Sequence, residues 1–147
     1  MSEHKVTIHW WRQTDDFSVQ TYNRAHEWLF QNGIKVVASA APDYKGDVDR
    51  VNPEQAFTAS LSSCHMLTFL YVAAMKQYKI DSYKDEAVGV FGKNVEGKMA
   101  VTKVILRPQI VFSGSKTPNA DELAQLHDAA HKQCFIANSV LTEVVVE

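Results

Sequence analysis

The stretch that most constrains the fold is "NPEQAFTASLSSCHMLTFLYVAAMKQY", residues 52–78. Asn52 is a favoured N-cap and Pro53 suits the first helical position. Glu54 adds a negative charge in the first turn, where the helix dipole favours it. Between Ala56 and Met75 the segment is apolar nearly all round, and such a helix is normally buried by other elements or by a partner chain. The sequence therefore predicts one long buried helix in the middle of the chain.

The segments before this helix favour β-structure. "KVTIHWWRQ" and "FSVQTY" alternate apolar and polar residues, as a half-buried sheet requires. Further on, Asn32-Gly33 readily takes the positive φ angles of a tight turn, and β-compatible runs flank it. We therefore expect strands, including one hairpin, in the first forty residues.

The segments after the helix predict a second hairpin, a second helix and a last strand. Two β-rich runs flank "NVEG", and Asn119 is a plausible cap for a helix with Leu123, Leu126 and Ala130 on its inner face. "LTEVVVE" closes the chain as a strand. This order predicts an α+β fold with helices packed on antiparallel sheets, and the length predicts a single domain over residues 1–147.

Composition and charge are those of an ordinary globular protein. Hydrophobic residues make up 46% of the chain and charged residues 22%, as in ordinary globular proteins. The net charge of -2 gives no reason to expect nucleic acid or an anionic membrane as partner. No signal-peptide pattern and no run of about 18 continuous apolar residues is visible. We expect a cytoplasmic protein.

The two cysteines, Cys64 and Cys134, are the first candidates for chemistry. In a reducing compartment they argue against a structural disulfide and for a redox, catalytic or metal-binding role. Cys64 lies in the apolar helix, where it is either a small buried filler or a stabilised thiolate. The adjacent His65 points to a different helix face and is therefore a poor direct activator.

Glu54 precedes Cys64 by ten residues, which corresponds to about 15 Å along a straight helix. Either the helix is interrupted around residues 60–63, or Glu54 acts through another residue or another subunit, or it serves only the helix dipole. Arg24 and Arg50 could each pair with Glu54, and an arginine beside a thiolate would lower the pKa of the thiol.

A metal site is the alternative. His127, His131 and Cys134 have i, i+4, i+7 spacing and share one helical face, with Cys64 or His65 as a fourth ligand. No CxxC or HExxH motif accompanies them. A third possibility is a structural dimer whose thiols are inert.

Three motifs together resemble one family. The chain is similar to the OsmC/Ohr thiol peroxidases in three segments. The first is "VNPEQAFTASLSSCHMLTFL", which has an NPE(E/Q) helix start ten residues before a cysteine. The others are "HKQCFIANSV" around the second cysteine and the strand "VTKVILRPQIVF". The resemblance spans nearly the whole chain. It implies an OsmC-like fold with a central buried cysteine-bearing helix and an intertwined homodimer.

The resemblance also implies an activity and its residues. Cys64 would attack a hydroperoxide and become a sulfenic acid, which Cys134 would resolve as a disulfide that an external dithiol reduces. Glu54 and an arginine, Arg24 before Arg50, would hold the thiolate. No metal or organic cofactor is implied, and neither nucleic acid nor membrane. The apolar residues Phe57, Leu61, Met66 and Leu67 would favour an organic hydroperoxide over hydrogen peroxide.

Overall fold

The computed structural model describes all 147 residues, which form two compact units, Met1–Ala56 and Phe57–Glu147. The first unit contains one antiparallel sheet with the strand order β1 (Val6–His9), β2 (His26–Phe30) and β3 (Lys35–Ala38). The predicted hairpin is confirmed: β2 and β3 are joined through Asn32 and Gly33, whose φ angles are 71° and 76°.

The predicted strand over "FSVQTY" is wrong. Residues 17–22 form turns, and the backbone N–H groups of Thr21 and Tyr22 both donate to the carbonyl of Ser18. The Thr21 hydroxyl also donates to Asp16 Oδ2 at 2.6 Å. Because Ser, Thr and Asp side chains offer the backbone local hydrogen bonds, the turn prevails over the alternating pattern.

The long helix α1 runs without interruption over Pro53–Met75. Asn52 caps it as predicted: its side chain accepts from the Gln55 backbone at 2.9 Å, and the Gln55 side chain accepts from the Asn52 backbone at 3.0 Å. The continuous helix excludes the alternative of a break around residues 60–63.

The second unit contains two sheets and the second helix. Strands β4 (Lys79–Asp85) and β7 (Pro108–Ser113) pair antiparallel, and β5 (Val88–Lys93) pairs antiparallel with β6 (Met99–Leu106). Helix α2 (Ala120–Gln133) starts at the predicted cap Asn119, and β8 (Glu143–Val146) follows it. The α+β class is confirmed. One pair departs from the antiparallel expectation: β8 lies parallel to β6, because it returns through a crossover that contains α2.

Two apolar clusters fix α1 within this unit. Leu61 packs with Val104 and Leu106 of β6. Further along α1, a second cluster joins the helix to α2 and is made of Phe69, Val72, Ala73, Tyr78, Leu126 and Ala130. Cys64 lies on the helix between the two clusters, so packing on both sides sets its position.

One face of α1 stays exposed in the single chain, through Leu67, Tyr71 and Met75 at four-residue spacing. By length and composition alone, α1 could cross a membrane, although no such helix was expected from the sequence. A core helix passes the same test, and α1 carries six buried residues along its other face. The apolar character of α1 is thus used for packing on one face and left uncovered on the other.

Candidate functional site

The structure brings the two thiols together. The side chains of Cys64 in α1 and Cys134 at the end of α2 interact with each other, and both cysteines are free. They differ in exposure: Cys64 is partly exposed, whereas Cys134 is 1% exposed. The pair therefore combines one accessible thiol with one enclosed thiol.

Cys134 lies where α2 ends. It is the C-cap of the helix, and its backbone N–H donates to the carbonyl of His131 at 3.3 Å. Its sulfur accepts the backbone N–H of Ala137 at 3.4 Å, in a short 3₁₀ turn over Ala137–Ser139. Cys64, by contrast, lies inside a continuous helix. Cys134 thus ends its helix, whereas Cys64 has helical turns on both sides.

Burial raises the pKa of the Cys134 thiol, and its hydrogen bond to Cys64 raises that pKa further. The backbone N–H of Ala137 opposes this shift because it stabilises the thiolate. Cys134 thus keeps its proton while it faces the Cys64 sulfur. The proton on Cys134 and the greater exposure of Cys64 make the two sulfurs chemically unequal.

Asp85, which sequence reasoning missed, ties α1 to the end of β6. Its carboxylate accepts the hydroxyl of Ser62, two residues before Cys64, and the backbone N–H of Arg107 at 2.6 Å. An aspartate at a strand end carries no sequence signal that distinguishes it from a solvated turn residue. The contacts of Asp85 join residues that are far apart in the sequence, so only the folded structure reveals them.

His65 has a partner that the sequence did not reveal. Its Nε2 lies 3.0 Å from Nδ1 of His127 in α2, and the two rings stack with their centroids 5.3 Å apart. His65 is 1% exposed, and burial, then the charges of His127 and His131, lower its pKa to about 4 although Asp85 acts in the opposite direction. Burial likewise lowers the pKa of His127. Both imidazoles are therefore neutral at pH 7.

The other predicted site residues lie in the first unit. Glu54 is in the first turn of α1, three turns before Cys64. Arg24 donates to the carbonyls of Val19 and Tyr22, and its guanidinium carbon lies 3.7 Å from the centre of the Tyr22 ring. Arg50 donates to the carbonyl of His26 at 3.2 Å. The roles of Glu54, Arg24 and Arg50 stay predictions.

The alternative metal site does not form. No group of three His, Cys, Asp or Glu side chains is arranged to hold a metal ion. His127 is hydrogen-bonded to His65, whereas Cys134 caps α2 and contacts Cys64. Residues 127, 131 and 134 share a helical face but therefore do not converge on one metal site.

The predicted apolar lining next to Cys64 is only partly available. Leu61 is 1% exposed in the core, and Phe57 packs against the same cluster. Met66 is partly buried and Leu67 is exposed. Because Leu61 and Phe57 pack against the sheet, only Leu67 of these four residues is exposed in the single chain.

Comparison with known proteins identifies the family. The family profile described as OsmC-like protein matches residues 45–147. A solved OsmC-like protein of unknown function from Vibrio cholerae is 51% identical, with a TM-score of 0.95 over 100% of this chain and 99% of that one. No curated protein matches the sequence. The chain therefore belongs to the OsmC-like family.

More distant solved structures share the fold. An organic hydroperoxide resistance protein from Legionella pneumophila is 19% identical, with a TM-score of 0.72 over 100% of this chain and 95% of that one. The organic hydroperoxide resistance protein of Bacillus subtilis is 20% identical, with a TM-score of 0.69 over 99% and 97%. These likenesses confirm the predicted OsmC-like fold.

Proposed function

We propose that the protein is a cysteine-based, dithiol-dependent reductase of organic hydroperoxides. One observation carries the proposal: the free thiols of Cys64 and Cys134 come from different helices and interact with each other. The names of the Legionella and Bacillus relatives support a role in hydroperoxide resistance.

In the first step the Cys64 thiolate attacks the terminal oxygen of the hydroperoxide. A sulfur–oxygen bond forms, the oxygen–oxygen bond breaks, and the leaving alkoxide takes a proton to become an alcohol. The sulfur is oxidised to a sulfenic acid and the peroxide is reduced. Cys64 is assigned this step because it is the more exposed thiol of the pair.

In the second step the Cys134 sulfur attacks the Cys64 sulfur. The disulfide forms, the sulfur–oxygen bond breaks, and the oxygen leaves as water with the Cys134 proton. An external dithiol then reduces the disulfide by exchange and is itself oxidised. Burial of Cys134 suits this role, because an enclosed thiol meets the neighbouring sulfenic acid rather than free peroxide.

Glu54 and Arg24 enter the proposal through the family resemblance. Their predicted role is to hold the thiolate and orient the peroxide, with Arg50 as the second choice for the arginine. Since Glu54 is three helical turns away from Cys64 along α1, we assign it an indirect action, through the arginine or from a partner subunit.

The same proposal includes a homodimer. Leu67, Tyr71 and Met75 form an exposed apolar row on α1, with exposed fractions of 61%, 61% and 67%. Exposed apolar rows of this kind mark surfaces that bind another protein. A second copy that covers this row would bury α1 on both faces, as its composition requires.

Two cysteine variants test the activity. Cys64→Ser should abolish the consumption of cumene hydroperoxide in the presence of a dithiol, because no sulfenic acid can form. Cys134→Ser should consume about one peroxide per chain and then stop or over-oxidise. Undiminished turnover by the Cys64→Ser protein would end the proposal.

A further inference from the structure

The His65–His127 pair lies beside the two thiols but takes no part in the proposed chemistry. His65 directly follows Cys64 in α1, and His127 precedes Cys134 by seven residues in α2. Residues seven positions apart lie on the same face of a helix, about 10 Å apart along its axis, so His127 and Cys134 share one face of α2. The imidazole contact and the thiol contact therefore join the same two helices at two points.

The hydrogen bond between the imidazoles is enclosed. His65 Nε2 and His127 Nδ1 are 3.0 Å apart, and the His65 ring is 1% exposed. The opposite nitrogen, His65 Nδ1, is buried without a hydrogen-bond partner. The bond to His127 is thus the contact that satisfies His65, and its loss would leave both ring nitrogens buried and unsatisfied, which is costly.

Disulfide formation requires movement at one end only. The two sulfurs, which already interact, must approach to about 2 Å. Cys64 is fixed in the middle of α1, whereas Cys134 caps α2 and is followed by a short turn. If the His65–His127 contact holds α2 on α1 about two turns before the end of α2, Cys134 can move while the rest of α2 stays in place.

We propose that His65 and His127 are positioning residues, whose mutual hydrogen bond holds α2 on α1 and so keeps Cys134 within reach of Cys64. The effect of the pair is to raise the effective concentration of one thiol toward the other. This inference deepens the proposed function and rests on its disulfide step.

The test is the equilibrium constant for exchange of the Cys64–Cys134 disulfide with dithiothreitol at pH 7, measured without peroxide. Asn and Gln at position 127 form a matched pair. An Asn amide occupies the place of the imidazole Nδ1, whereas a Gln amide extends to the place of Nε2. His127→Asn should stay within about twofold of the native protein, whereas His127→Gln and His127→Leu should form the disulfide about fivefold less favourably, or worse.

His131→Asn is the control, because His131 is exposed one turn further along α2. It should leave the constant unchanged. The proposal is overturned if folded His127→Gln keeps the native constant, if His127→Asn loses as much as His127→Gln, or if His131→Asn has an equal effect. Should His127→Leu fail to fold, the comparison of His127→Asn with His127→Gln still decides whether the imidazole pair positions Cys134.

Failure of the inference is distinct from failure of the proposed function. Normal exchange in the native protein without peroxide turnover would refute the peroxidase and leave the positioning role intact. Native turnover with an unchanged constant in His127→Gln would refute the positioning role alone. A native protein that forms no disulfide between Cys64 and Cys134 would refute both.

Discussion

The Cys134 thiol interacts with the Cys64 side chain, although seventy residues separate the two cysteines in the sequence. The contact depends on two helices that pack through the cluster containing Phe69 and Leu126. It also pairs an accessible sulfur with an enclosed one. These unequal environments are the basis for the different roles proposed for the two thiols.

The first prediction concerns thiol reactivity. At pH 8, iodoacetamide should alkylate Cys64 at least about tenfold faster than Cys134, because Cys134 is 1% exposed and its pKa is raised. Mass spectrometry of peptides taken during the reaction measures both rates. Equal rates in the folded protein would contradict the prediction, and equal rates in denaturant are the control.

The second prediction is a loss of stability in acid. The pKa of His65 is about 4 in the folded chain and 6.5 ordinarily. Between these values the unfolded chain binds a proton that the folded chain does not, so the free energy of unfolding falls as the pH falls. We expect His65 to contribute a loss of the order of 2 kcal/mol between pH 7 and pH 4.

Urea unfolding at both pH values measures this loss. His65→Gln is the control, because a Gln amide keeps a donor near the place of Nε2 but does not titrate. The variant should show the smaller acid sensitivity. An identical pH dependence in the two proteins would remove His65 as the cause.

The third prediction concerns the contact between β5 and α1. A Cβ added at Gly89 would lie 2.3 Å from the Thr58 hydroxyl oxygen, whereas one added at Gly92 of the same strand meets nothing within 4 Å. Gly89→Ala should therefore reduce the free energy of unfolding by about 1–3 kcal/mol. Gly92→Ala is the matched control and should be neutral or stabilising.

Thermal and urea unfolding of the two variants check the prediction. Combining Gly89→Ala with Thr58→Ala should recover part of the loss, since the clashing hydroxyl is then absent. If Gly89→Ala proves as stable as Gly92→Ala, the close approach of strand and helix is not as described.

The fourth prediction tests the proposed homodimer. Leu67→Arg places a charge in the exposed apolar row of α1 and should shift the protein toward monomer, because an unpaired charge in an interface is costly. Val95→Arg, at the fully exposed turn between β5 and β6, is the control and should stay dimeric. Light scattering measures the mass. A dimeric Leu67→Arg protein, or a monomeric native one, contradicts the assignment.

Local signals in the sequence predicted much of the fold. The structure confirms the predicted helix caps at Asn52 and Asn119 and the predicted turn at Asn32-Gly33. Each of these features is determined by hydrogen bonds or backbone angles within a few residues. The prediction at residues 17–22 failed because backbone and side-chain hydrogen bonds within the turn outweighed the alternating pattern.

The candidate site was predictable only in part. The cysteines were found by type and motif, whereas the pairing of His65 with His127 and of Ser62 with Asp85 joins distant segments and leaves no periodic trace. The alternative of a metal site at His127, His131 and Cys134 is not supported, because residues on one helical face can still contact different partners.

The most direct measurement is peptide mapping after one equivalent of cumene hydroperoxide is added to the reduced protein. We expect the peptide with Cys64 to become disulfide-linked to the peptide with Cys134 of the same chain. Unconsumed peroxide with both thiols free, or a bridge between two copies of Cys64, would contradict it.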